Sequence, residues 1–156
     1  MAGWVTTLRF ALTSGTIASA TSTIALALLA RMEGKGAFQP VNSTSHWRNG
    51  EQAASWRNAD LAHTAVGYAT HHAATVFWAV LFERWLGMRR PAAALPLVRD
   101  ALAMSAVAAA VDYGATPKRF TPGWEFVLSK RSMAVAYAAM ALGLAAGAWI
   151  NRRATK

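Results

Sequence analysis

Apolar and polar residues fall along this chain in long blocks, not in alternation. The apolar blocks run over about residues 10–30, 61–82, 91–114 and 132–150. Each is near the ~20 residues with which a helix crosses a ~30 Å hydrocarbon core. None shows the period-two pattern of a membrane barrel, and all are rich in Ala, Leu and Met, which favour helix. A bilayer offers no water to free backbone groups, so internally bonded helices are the expected solution. The pattern predicts an all-α, polytopic membrane protein: a four-transmembrane-helix bundle forming a single transmembrane domain over residues 1–156. The first block has Arg9 before it and small residues at Ala18 and Ala20, as a cleaved signal peptide would. It nevertheless runs on through Ile24–Leu29 without a polar cleavage region, and is expected to remain as a helix.

The connections differ in kind. Arg31–Asp60 is a polar stretch holding Pro40, Trp47, Gly50 and Trp56, too long for a plain helix–helix turn. Its tryptophans stand beside Arg48 and Arg57, which predicts an interfacial polar loop between helices 1 and 2, lying in the headgroup layer. Arg84–Pro91 is short, so the second and third helices are expected to form an antiparallel central hairpin. Ala115–Arg131 is compact and rich in turn formers (Pro117, Pro122, Gly123), with Trp124 at the interface.

Composition changes this picture in one respect, the charge. The apolar set is 54 % of the chain and charged residues 15 %, against roughly 25 % charged in soluble domains. Mean hydropathy is +0.22. The net charge of +9, from 16 Lys and Arg against 7 Asp and Glu, would suggest nucleic acid in a soluble protein. Here the cations flank apolar blocks, so topology and anionic lipid account for them, and no nucleic-acid partner is expected. An even number of spans puts both termini on one side, with Arg9, Arg84, Arg89, Arg90, Arg152, Arg153 and Lys156. The other side has Arg31, Lys35, Arg48, Arg57, Lys118, Arg119, Lys130 and Arg131, spread over more chain. The tight Arg89–Arg90 and Arg152–Arg153 pairs predict cytoplasmic termini in a bacterial inner membrane.

Small residues recur at four-residue spacing: Ala11, Gly15, Ser19 and Thr23 in the first block, Ala139, Gly143 and Gly147 in the last. Such stripes let helix backbones approach closely, which is what drives association in lipid, so Gly15, Ser19, Gly143 and Gly147 are candidate packing residues. The Gly143–Gly147 face suits the first helix or another subunit. The many serines and threonines of the first block are expected to bond back to their own helix or to glue it to neighbours.

Ionisable residues at membrane depth are functional candidates by default. In the expected hairpin, Glu83 lies level with Arg99, giving a candidate intramembrane ion pair, or two groups near the headgroups. Asp112 lies level with His71 and His72. Only Ala101–Val111 separates Arg99–Asp100 from Asp112, about 17 Å at ~1.5 Å per residue. One of these charged sites must therefore be drawn into the membrane, unless the helix tilts steeply or breaks at Pro96. His71, His72 and Asp112, extended by Tyr68 one turn before His72, form a candidate proton-active or buried polar network. The alternative is simple hydrogen bonding within the bundle. Asp112→Asn is accordingly expected to matter more than Asp60→Asn in the loop.

Other chemistry has little support. The absence of cysteine excludes disulfides, thiolate metal sites and a cysteine nucleophile. Four histidines are too few for the multi-histidine boxes of di-iron membrane oxygenases. No Gly-x-Ser-x-Gly, phosphate loop or His-Glu-x-x-His occurs, so no catalytic residue is assigned and no enzyme is expected. Haem b would need ligands from facing helices, whereas His63, His71 and His72 share one block and His46 sits in the loop; no cofactor is expected. His46, Glu51 and His63 lack diagnostic metal spacing, so no metal is expected either. Asn42-Ser43-Thr44 fits the glycosylation pattern, a weak signal.

Two stretches are too particular to be filler: Pro40–Trp47 and Asp112–Glu125. With His71-His72 and Phe77-Trp78 through Glu83, they make the chain resemble small, uncharacterised four-helix inner-membrane proteins of bacteria. The resemblance covers most of the chain and implies a fold, but no activity and no residue roles. Both stretches are expected on one side, as a cap or a docking surface, with Lys118-Arg119 and Glu125 meeting the Arg48–Glu51 region. The expected function is that of a non-enzymatic integral membrane protein, a small accessory or structural component of an inner-membrane complex. Its expected partners are the lipid bilayer, other membrane subunits or a second copy of itself. The alternative is a proton-coupled or ion-conducting small transporter using His71, His72 and Asp112, with Arg99 as charge partner.

Overall fold

The computed structural model describes residues 3–89 and 93–154, and these are all-helical, with no strand among them. In chain order the helices are α1 (Trp4–Met32), α2 (Gln39–Ser43), α3 (His46–Asn49), α4 (Val66–Arg89), α5 (Ala94–Gly114) and α6 (Lys130–Arg153). The expected helix start at Pro91, and the Arg90 and Lys156 used for orientation, lie outside the described residues. Three helices, α1, α5 and α6, are long and apolar enough to cross a membrane. The second block, α4, is not among them: its 24 residues include His71, His72, Glu83, Arg84 and Arg89, which dilute its apolar character.

The expected central hairpin of the second and third helices is not what forms. α1 and α6 are the central pair; α4 packs on α1, α5 packs on α6, and α4 touches α5 and α6 only slightly. The reason is the distribution of small residues. A Cβ on Gly143 would collide with Ala18 and Thr21 of α1, and one on Gly147 with the Ser14 backbone, so α6 lies backbone to backbone on α1. Thr21 Oγ1 also donates across this seam to the Ala139 carbonyl at 3.0 Å. Gly15 faces the other way, toward Val76 and Ala79 of α4, while Ser19 is fully buried. Larger side chains, Leu26, Phe82, Leu86, Leu97 and Leu144, fill the remaining core.

Pro96 does not break α5. It falls in the first turn of α5, where the missing N–H would be unpaired in any case.

Residues 33–60, expected as a loop in the headgroup layer, are folded. They form α2, α3 and a 3₁₀ turn over Glu51–Ser55, and then pass into α4 through a π turn over Leu61–Ala65. Asp60 caps that turn by accepting from the His63 N–H at 2.6 Å. Asp60, expected as a loop position less critical than Asp112, thus has a structural role as a cap. Gln39–His46 are all buried, and α2 packs on both α1 and α4. Gly67 permits that docking: a Cβ there would overlap the Val41 carbonyl oxygen.

Candidate functional site

Two connections, 33–60 and 115–129, meet over one end of the bundle. Asn42 organises the first from a fully buried position. Its side-chain amide donates to the Trp56 and Asn58 carbonyls at 2.8 and 3.0 Å, and its Oδ1 accepts from Thr64 at 2.6 Å. The glycosylation pattern therefore marks a buried hub, not an exposed acceptor. Gln39 adds a bond to the Ala54 carbonyl at 2.8 Å. Trp47 Nε1 donates to Thr70 of α4 at 3.1 Å.

The two connections are also bonded to each other. One ring nitrogen of His46 lies 2.9 Å from the Ser43 carbonyl and the other 3.0 Å from the Lys118 carbonyl. Arg119 Nε donates to the Trp47 carbonyl at 3.2 Å, and Trp124 Nε1 to Thr44 at 3.2 Å. Gly123, at φ +80°, passes so close to Ser43 that a Cβ would lie 2.5 Å from its carbonyl oxygen. The expectation that Lys118-Arg119 approach Arg48–Glu51 holds: His46, Trp47, Arg48, Glu51, Lys118 and Arg119 line one open basin of about 410 Å³. Glu125 instead accepts from Thr121 within its own connection. This closed assembly is the cap.

Glu33, unremarked in the sequence, fastens the cap side of α1 to α6. Its carboxylate accepts from the Ser129 N–H at 3.1 Å and from the Ser129 hydroxyl at 2.6 Å, and also from the Ser132 hydroxyl. A carboxylate at a helix N-terminus is favourable to the helix dipole. The Ser129 hydroxyl, then that of Ser132, holds its pKa below the ordinary 4.5. A depressed carboxylate contributes stability that is full above its unfolded pKa and lost as pH falls through the lowered folded value. Protection of the Ser129–Met133 amides, relative to their intrinsic exchange rates, is therefore expected to be high at neutral pH and to fall on acidification below the ordinary carboxylate range. In Glu33→Gln it should be low throughout; protection independent of pH in the wild type would refute the tie. Asp60 is likewise held low, first by the His63 N–H and then by the His63 ring.

Beneath the cap lies a cavity of about 70 Å³, room for about two waters at ~30 Å³ each. His71 and Thr75 of α4, Asp112 of α5 and Tyr137 of α6 line it, and Thr121, Pro122 and Trp124 roof it. The structure thus brings His71 and Asp112 to one cavity without bonding them to each other. His71 Nε2 lies 2.9 Å from Ser22 Oγ, and the ring meets Trp124 edge-on at 5.5 Å. Asp112 accepts from the Tyr137 hydroxyl at 2.6 Å, a charge-assisted bond of about 1.5–3 kcal/mol when the carboxylate is ionised. His72 and Tyr68 are not part of this group. They stack on each other at 5.9 Å, and Tyr68 is exposed.

The expected Glu83–Arg99 pair does not form. Buried Glu83 sits at the opposite end of the bundle, accepting from Ser14 of α1 at 2.9 Å and Asn151 of α6 at 3.2 Å, with Arg152 at 3.6 Å. Arg99 is 64 % exposed and turns to its neighbour Asp100, which Arg89 also approaches. The central pair is the reason: at Glu83, α4 bonds to α1 and α6 and not to α5. Neither Ser14 nor Asn151 was singled out in the sequence; the serines of the first block were read only as a class.

No family model, curated protein or solved structure matches this chain.

Among the described residues no three His, Asp or Glu side chains converge as metal ligands. His46 is held by two carbonyls, and His63 by Asp60 and a stacked Trp56 at 4.8 Å. The arrangement therefore offers two features with chemical potential: the outer surface of the cap, and the small polar cavity below it.

Proposed function

We propose that the chain is a non-enzymatic integral membrane protein, a small accessory component of a bacterial inner-membrane assembly, and that the cap is its docking surface. In this reading α4 is the fourth span. Its polar residues His71, Thr75 and Glu83 turn inward, while Phe77, Leu81, Trp85 and Met88 are exposed where lipid would lie. Cytoplasmic termini agree with Arg84, Arg152 and Arg153 at that end.

The observation that carries the reading is the dense internal bonding of the cap combined with what it exposes. Buried hubs and cross-connection bonds hold it in one shape, yet Trp56 is 45 % exposed, Phe120 61 % and Phe126 40 %, beside Arg48, Arg57, Lys118 and Arg119. Aromatic and Arg residues on a preorganised surface are the composition of interface centres. Gentle extraction from native membranes should recover a stoichiometric partner. Trp56→Ala with Phe120→Ala should release it, by about tenfold or more in affinity, while the long helices stay folded. Partner retention by the double variant would refute the docking role of the cap.

A second reading, a proton-coupled transporter, draws on the placement of His71 and Asp112 on one cavity. It requires proton flux in liposomes that Asp112→Asn abolishes. Bond donation from Tyr137 alone would make Asp112 structural, and flux would then be absent from the wild type.

A further inference from the structure

An outward-opening groove of about 260 Å³ runs between α5 and α6, with walls formed by Leu97 and Val98 on one side and Leu142, Ala146 and Trp149 on the other. Its lining is apolar throughout. Arg153, one turn beyond Trp149, lays its guanidinium over the indole at 4.8 Å. The same end of the bundle carries Arg84 over Trp4 at 4.9 Å and Arg89 over Trp85 at 5.4 Å. Of these three tryptophans, Trp149 also lines this groove.

Read along α6 from Leu142 to Arg153, about 16 Å at ~1.5 Å per residue, the surface presents an apolar slot, then an indole, then a cation. A glycerophospholipid presents the same order: acyl chain, ester region, phosphate. Tryptophan favours the depth of the ester region. A guanidinium stacked by its face on an indole keeps its N–H edge for an oxyanion, and phosphate accepts that edge in bidentate fashion. Arg153 has no acidic partner among the described residues. An apolar helix from another protein, or a neutral lipid, would fill the slot and leave that charge unanswered.

We propose that the α5–α6 groove is a binding site for one anionic glycerophospholipid, with part of an acyl chain in the slot and its phosphate on Arg153. The site rests on the reading of α5 and α6 as membrane spans.

The test uses the full chain, reconstituted in vesicles of equal phosphatidylglycerol and phosphatidylcholine, released into mild detergent and weighed by native mass spectrometry. The wild type should retain one phosphatidylglycerol about fivefold more often than phosphatidylcholine, the preference one near-surface arginine supplies. Arg153→Gln should bring that ratio close to one. Ala146→Phe, which fills the slot at an exposed position, should lower retention of both lipids. Arg48→Gln, on the cap, should leave the pattern unchanged. Equal retention of both lipids by the wild type, or a preference that survives Arg153→Gln, would overturn the site. Recovery of the chain from the soluble fraction without detergent would instead overturn the membrane reading beneath it.

Discussion

Replacing Gly67 with alanine is expected to lift the cap from the bundle while leaving the long helices in place. The added methyl overlaps the Val41 carbonyl oxygen, and backbone on both sides of the contact prevents an easy rearrangement. Overpacking of this kind costs roughly 1–3 kcal/mol, and the bond between Trp47 and Thr70 would be strained along with it. Hydrogen exchange should accelerate over residues 39–56 but not within α1 or α6. Gly87 provides the control, since a Cβ there meets nothing within 4 Å. Gly87→Ala should be neutral or stabilising by up to about 1 kcal/mol through helix propensity. If the two variants exchange alike, Gly67 is not the seat of the cap.

The largest loss of overall stability is expected from Gly147→Leu. Its Cβ would run into the Ser14 backbone, forcing the central pair apart. Separation would also pull Asn151 away from Glu83 and from the Phe10 carbonyl, which it bonds at 3.0 Å. Interhelical hydrogen bonds in membranes contribute about 0.6 kcal/mol on average and up to about 1.7. Together with the overpacking term, the cost should be about 3 kcal/mol or more. Steric-trapping or thermal unfolding in detergent measures it. Leu142→Ala, at an exposed position on the same helix, should change stability by less than about 1 kcal/mol. A Gly147→Leu protein as stable as the wild type would mean that α1 and α6 do not share this seam.

The long helices were legible because length and apolar content are intrinsic to a segment. The boundaries of α5 at Gly114 and of α1 near Met32 fall within a few residues of the pattern. Which helix touches which was not legible. In lipid an apolar residue gains little by choosing one neighbour over another, so the order is decided by where backbones can meet. The four-residue stripes on α1 and α6 carried that information, and Gly143 and Gly147 do meet α1. The short Arg84–Pro91 link makes α4 and α5 neighbours in sequence, but packing joins α4 to α1 and α5 to α6. Equal depth does not make Glu83 and Arg99 partners for the same reason: lateral order sends Glu83 to Ser14 and Asn151, and Arg99 to Asp100. The cap was illegible for a different reason. Gln39, Asn42 and His46 read as loop residues because they are polar, and only their partners, mostly backbone carbonyls, make them a core. One clue was present: a lone glycine inside a helical run, such as Gly67, costs about 1 kcal/mol and has a packing reason when it persists.

That the central pair consists of the first and last long helices has a consequence for how the chain is made. Roughly 100 residues separate the end of α1 from the start of α6, which at about 5–20 residues per second is a delay of about 5–20 s. During that interval α1, long and apolar enough to cross a membrane, has the α6-facing side of its stripe uncovered. Its Ser14 lacks Glu83 until α4 arrives, and Asn151 joins that cluster only once α6 has been made. The serines that bond back onto their own turn, Ser14 to the Phe10 carbonyl and Ser22 to that of Ala18, both at 2.7 Å, allow α1 to wait. Each of these two hydroxyls has a partner within its own helix before it has one across the bundle, so neither waits for a neighbour to be satisfied.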